Sequence, residues 1–238
     1  MKIALCLSGL TGGSGGKDGV GNSLDIDTPY QSVKKYLLDV NDIDVFIHSW
    51  SKEFEKELID LYKPKKQKFE KQIIFDKDNH RKHITQSRFY GNNKVLDLKR
   101  LYEEENNFIY DVVMISRLDL VWFNEVNFDI YDPKYFYASH WNHNGPDKIG
   151  PYGMENFNIG SGFLDFWFFS NSKIMNTFGN LCDVDKINHL ISIGVPLSAH
   201  ALTYKIASLC NADIKYTKYR GYDHEMYRRV IRKGWTND

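Results

Sequence analysis

The chain is poor in cysteine and carries no excess of either charge, and each shortage removes a class of function. Three cysteines in 238 residues, Cys6, Cys182 and Cys210, form neither a disulfide framework nor a CxxC metal pair. They read as reduced thiols of a cytoplasmic protein. The 31 basic residues are matched by 31 acidic ones, so no global field draws the chain to nucleic acid or to an acidic membrane surface. No apolar run approaches the roughly 18 residues that cross a bilayer, and the run from Ile3 to Leu7 is too short and too poorly flanked for a secretion signal. The expected protein has no transmembrane segment and no nucleic-acid partner, and the sequence carries no sign of its oligomeric state. What it has in quantity is aromatic: 15 Tyr, 15 Phe and 5 Trp. Such rings pack cores, and they also stack on the apolar faces of sugars and bases.

Three stretches, "KIALCLS" (2–8), "DIDVFIHSW" (42–50) and "YDVVMISRLDLVWF" (110–123), are continuously apolar where a half-exposed strand would alternate. That pattern predicts strands covered on both faces, as in a parallel sheet. A fourth strand is expected at "KQIIFD" (71–76), after the lysine-rich "KPKKQK" (63–68), which reads as a solvated turn. Helical periodicity fills the gaps over 30–40, 52–62 and 93–105. Strand–helix alternation of this kind gives an α/β fold with a mostly parallel, Rossmann-like central sheet. The second half is more irregular: strands at "KYFYAS" and "GFLDFWFFSNS", two helices, and a tail rich in Tyr and Arg. The expectation is one domain over 1–238, with a nucleotide-binding half (1–125) and an aromatic-rich half (126–238).

Ligands of open parallel sheets bind beyond the carboxyl ends of the strands. That rule selects the glycine-rich loop "GLTGGSGGKDGVG" (9–21), "HSW" (48–50) and "SRLD" (116–119). The loop fails as a P-loop because Asp18 stands where a hydroxyl is needed and Thr11 where the first glycine is needed; Asp18 and Leu24 also break GxGxxG. It reads either as a surface loop or as a flap beside a donor site. Arg117 and Asp119 lie two apart on a strand and share a face. They suit either an ion pair at the strand end or a site for phosphate with a cation or hydroxyl. Asp165 sits among Phe163, Leu164, Phe166, Trp167, Phe168 and Phe169. Desolvation there predicts a raised pKa, fit for a general base, with a capping role as the alternative. His48, His140 and His143 lack metal-ligand spacing.

The order "ALCLSG", "DVFIHSW", "LYKPKKQKFEKQI", "SRFYGNNKVLDLKRLYEEENNFIYDVVMISRLDL" and "FWFFSNSKIMNTFGNL" resembles a group of small glycosyltransferases of bacterial polysaccharide loci and large DNA viruses. The resemblance is most specific at "DVFIHSW", "YDVVMISRLDL" and "FFSNS", and implies the nucleotide-sugar-binding GT-A fold. It implies transfer of a sugar from a nucleotide-diphosphate donor to a hydroxyl of a saccharide acceptor held by the aromatic half. The implied donor contacts are Ser8, Gly9, Leu10, His48, Ser49, Arg88, Arg117 and Asp119. Arg117, with Arg88 or Arg220, would stabilise the leaving diphosphate, and Asp165 would be the base of an inverting reaction. GT-A enzymes typically hold Mn2+ or Mg2+ at a DxD motif, where this chain reads Arg117–Leu118–Asp119. Either Asp119 keeps the metal with Asp223 or His224, or Arg117 replaces part of its charge. The alternative is a non-catalytic nucleotide-sugar or carbohydrate-binding protein that kept the fold.

Overall fold

The computed structural model describes residues 1–11, 25–140 and 164–233. The glycine-rich loop beyond Thr11, with Lys17 and Asp18, and also His143 and Phe163, lie outside the described residues. In chain order the elements are β1 (Ile3–Gly9), α1 (Asp27–Val33, continued by a π-helical turn Lys34–Leu38), β2 (Ile43–Ser49), α2 (Glu55–Tyr62), β3 (Lys66–Phe69), α3 (His80–Asn106) and β4 (Val112–Arg117). The second half adds β5 (Leu120–Trp122), β6 (Phe136–His140), β7 (Trp167–Ser170), α4 (Ser172–Leu181), α5 (Val184–Ser192), α6 (Ala199–Ser208), β8 (Ile214–Tyr219), β9 (His224–Met226) and α7 (Tyr227–Lys233).

Seven strands form one sheet in the order β3-β2-β1-β4-β7-β6-β8. Only β7 runs against its neighbours, so the sheet is mostly parallel and draws strands from both halves of the chain. The continuous apolar runs have their physical reason in this burial. Leu5 and Leu7 of β1 join Val33, Leu37 and Leu58 on one face, while Ala4 and Cys6 join Phe89, Val95 and Phe178 on the other. Each large side chain so buried contributes about 1.5–3 kcal/mol. The aromatic wealth of β6 and β7 goes into the same cores: Tyr137 stacks on Phe169 at 4.6 Å and Phe136 on Phe168 at 5.9 Å.

Three expectations change in detail. The edge strand is the lysine-rich 66–69, paired with β2 from Phe46 to Ser49, and the run 71–76 leaves Ile73 and Ile74 exposed. An edge strand tolerates lysine because one side faces solvent. The helix read at 93–105 begins at His80. The run 110–123 is broken at Leu118 and Asp119, and β5 leaves the main sheet to pair with β9.

Helix α3 is fastened to α4 by a buried polar cluster. Lys99 Nζ donates to Glu103 Oε2 at 2.9 Å, to Ser172 Oγ at 2.7 Å and to Asn176 Oδ1 at 2.7 Å. Glu103 Oε1 in turn accepts from Ser172 Oγ at 2.7 Å and from the Tyr110 amide at 2.9 Å. Gly179 permits the close approach of the two helices, since a Cβ there would stand 2.7 Å from Leu96 Cδ1.

Candidate functional site

The chain runs outward from β1 through β2 to β3, then returns to place β4 on the other side of β1. Strand order therefore reverses between β1 and β4, where Ser8 and Arg117 are register partners. Beyond these ends lies a cavity of about 410 Å³, adjoined by a second of about 240 Å³; Ile84, Arg88, Arg117 and Arg228 line both. Six arginines wall the larger one, Arg81, Arg88, Arg117, Arg220, Arg228 and Arg229. Among the described residues its lining holds one carboxylate, Asp165, and one imidazole, His200.

Each cation is positioned by a different element. On α3, Arg81, Ile84, Thr85 and Arg88 fall at helical spacing and share a face turned to the cavity. Arg88 Nη1 donates to Ser8 Oγ at 3.1 Å and Nη2 to the Asp165 carbonyl at 2.8 Å. Burial and the nearby Arg117 charge push its guanidinium down to about 10, still charged at neutral pH. At the end of β4, Arg117 makes a two-pronged pair with Asp119, Nε to Oδ1 and Nη2 to Oδ2, each at 2.7 Å. Burial opposes the Arg117 charge, but the Asp119 carboxylate outweighs it and raises the arginine's pKa. Phe166 lies under both Arg117 and Arg220, whose Cζ atoms stand 5.7 and 5.3 Å from its centroid. Arg220 Nε also pairs with both oxygens of Glu225 at 3.1 Å.

Asp165 does not have the raised pKa expected from its aromatic neighbours. Burial pushes its carboxyl up, but the His200 hydrogen bond and the Arg88 and Arg117 charges prevail and hold it well below the usual carboxylate range. His200 Nδ1 lies 3.1 Å from Asp165 Oδ1. An imidazole oriented by a carboxylate is an arrangement able to accept a proton, and Asp165 holds His200 in that way.

The structure brings Ser8, Gly9, Leu10, Arg88 and Arg117 together in the smaller cavity, and Arg88, Arg117, Asp165 and Arg220 in the larger. His48 and Ser49 line neither. His48 is buried with Nε2 2.9 Å from Glu70 Oε1, and Ser49 Oγ donates to the Gly9 carbonyl at 2.8 Å. That bond supports Gly9, whose φ of 114° is open only to glycine at little cost. Sequence reasoning missed Arg81, His200, Arg228 and Arg229. The spacing of Arg81 and Arg88 was a readable signal once α3 is extended back to His80, whereas His200 carries none of its own.

Asp119 and His224, the residues assigned to a divalent metal, are engaged with other groups in the structure. Both Asp119 oxygens are engaged by Arg117, and the side chain is 1% exposed. His224 sits among Trp122, Trp167 and Phe166, with Nε2 2.8 Å from Ser139 Oγ. Asp223 accepts from the Tyr219 amide at 2.6 Å and shapes the turn before β9. Among the described residues no group of three or more His, Cys, Asp or Glu is placed to hold a metal ion.

His224 instead reads as a neutral core group. Burial, with the Arg220 and Lys218 charges, pushes it down to about 3. An unfolded histidine takes up its proton near pH 6.5, so between those values the unfolded state binds the extra proton. Its contribution to stability is complete above the unfolded value and declines as pH falls through the window, by up to about 1.4 kcal/mol per pH unit. Urea titrations at several pH values check this: His224→Gln is expected to flatten the acid loss, and an unchanged slope would remove His224 as its source.

The chain matches no model of a known protein family, and no curated protein matches it. Among the described residues no helix is long and apolar enough to cross a membrane.

Proposed function

We propose that the protein is a glycosyltransferase of GT-A-like fold that moves a sugar from a nucleotide-diphosphate donor to a hydroxyl of a saccharide acceptor. One observation carries the reading: the cavity at the reversal of strand order is lined by guanidinium groups together with the His200–Asp165 pair. Chemically the two kinds of group match the two halves of the reaction. The leaving diphosphate takes the electron pair of the breaking glycosidic bond, and preset cations at that point stabilise the developing charge. The acceptor oxygen bonds to the anomeric carbon while His200 takes its proton. Attack from the face opposite the departing diphosphate inverts the anomeric configuration. Ser8, Gly9 and Leu10 at the end of β1 border the adjoining smaller cavity, where the nucleoside end of the donor is assigned.

No step is routed through a metal, because Asp119 and His224 do not fit one. Arg117 standing for the first acid of DxD also favours a second reading, a nucleotide-sugar-binding protein that retains the fold without turnover. Incubation with UDP-, GDP- and dTDP-sugars and a mixed oligosaccharide acceptor pool separates the two. The expected result is consumption of one donor with appearance of an inverted glycosidic linkage by NMR. Donor binding without consumption selects the second reading, and neither binding nor consumption removes both.

A further inference from the structure

We infer that this cavity grips the diphosphate with guanidinium groups alone, Arg88 and Arg220 at its back and Arg81, Arg228 and Arg229 around it, in place of a bridging divalent cation. The inference rests on the nucleotide-sugar reading of the site and specifies how that ligand is held.

The first observation is an imbalance of charge. Among the described residues, six arginines meet one carboxylate in the cavity lining, and that carboxylate is already hydrogen-bonded to His200. Arg117 is met by Asp119 and Arg220 by Glu225, but among the described residues Arg88 donates only to neutral oxygens of Ser8, Asp165 and Phe166. A dianionic or trianionic ligand is the natural complement of such a wall. The depressed guanidinium of Arg88, caused by burial and then by Arg117, is consistent with a crowd of like charge.

The second observation is a set of unsatisfied donors. Arg220 is 4% exposed, and its Nη2 has no hydrogen-bond partner among the described residues, although Nε is held by Glu225. Arg88 Nε is buried and likewise has no partner among the described residues. A buried donor left without an acceptor costs roughly 1–3 kcal/mol, which a ligand oxygen would recover. Both side chains line the larger cavity. Glu225 and Phe166 fix the orientation of Arg220 before any ligand arrives, so little entropy is lost on binding.

The third observation concerns what a metal would need. A divalent cation between phosphates takes carboxylate oxygens with open lone pairs, whereas the two Asp119 oxygens each receive a 2.7 Å bond from Arg117. Detaching them would break a two-pronged pair and take from Asp119, 1% exposed, its counter-charge.

The experiment is calorimetric titration of the full chain with UDP and, separately, with inorganic pyrophosphate, in EDTA and then with Mn2+. Both ligands are expected to bind in EDTA, with affinity falling as salt is raised and unchanged by Mn2+. Arg220→Ala would strand Glu225 in the interior, so Arg220→Lys is the variant of choice, together with Arg81→Ala at an exposed position. Lysine keeps the pair with Glu225 but cannot also present a second fixed donor, and pyrophosphate should bind about tenfold or more weakly. A melting curve like that of the wild type shows that the loss is local. UDP binding that vanishes in EDTA and returns with Mn2+ overturns the inference while leaving the nucleotide-sugar reading intact, as does wild-type pyrophosphate affinity in both variants. No binding of UDP, nor of GDP or dTDP in its place, under either condition overturns the reading itself. Metal-free UDP and pyrophosphate binding without sugar transfer leaves the clamp standing and defeats the catalytic assignment alone.

Discussion

His200→Gln is expected to lower sugar transfer by about two to four orders of magnitude while nucleotide affinity stays close to that of the wild type. Glutamine is near the imidazole in size and can still donate to Asp165, but it cannot accept and carry a proton. The loss therefore falls on the acceptor half of the reaction. Asp165→Asn is the informative companion: it keeps shape but removes the charge that faces His200 at 3.1 Å and that Arg88 and Arg117 hold ionised. A smaller loss is expected there, again in transfer and not in donor binding. Single-turnover transfer and calorimetric UDP binding on the same preparations give the split. Equal loss of both quantities would make the pair a scaffold feature, and undiminished transfer in His200→Gln would place the base elsewhere.

Lys99→Met is expected to cost about 3–5 kcal/mol of folding stability, the largest effect foreseen away from the cavity. Lys99 is fully buried and stands between Glu103, Ser172 and Asn176, so its removal leaves a carboxylate in the interior with no counter-charge. Burial already presses the Lys99 pKa downward against the pull of Glu103. Pairing the change with Glu103→Gln keeps an acceptor for the Tyr110 amide and removes the stranded charge, so most of the loss should return. Urea unfolding of the two variants measures this directly. A loss below about 1 kcal/mol in Lys99→Met would mean that Glu103 finds water or takes up a proton at little cost.

The centre of the fold was legible because burial on both faces writes itself into consecutive residues. Val112 to Ile115 have no exposed side, and the sequence there has no polar position. The edge was illegible for the same reason. Strand 66–69 is held by backbone pairing to β2 while its lysines face solvent, and the more strand-like 71–76 has no partner strand. At the site, local context misled. The rings around Asp165 divide between the sheet's two faces, Phe168 on one and Phe169 on the other. The groups that decide the charge of Asp165 come from far along the chain, Arg88 on α3, Arg117 on β4 and His200 on α6. Asp119 falls in the break after β4 instead of on the strand, and the structure closes it into a pair with Arg117. Arg228 and Arg229 reach the cavity only because β9 pairs with β5 and α7 follows it back, a contact no local pattern encodes.

The placement of β8, β9 and α7 also sets an order of events in the birth of the molecule. A chain is made from its amino end, and its early segments can begin to fold before the later ones exist. The centre of the sheet needs only residues up to Arg117, whereas half of the cationic wall, Arg220, Arg228 and Arg229, belongs to the segment after β8. A nascent chain halted short of residue 214 would thus own a sheet but only half of the cationic wall, and would show β6 as a bare margin to its neighbours. Arg220, Arg228 and Arg229 follow β8 in synthesis, the strand that covers that margin.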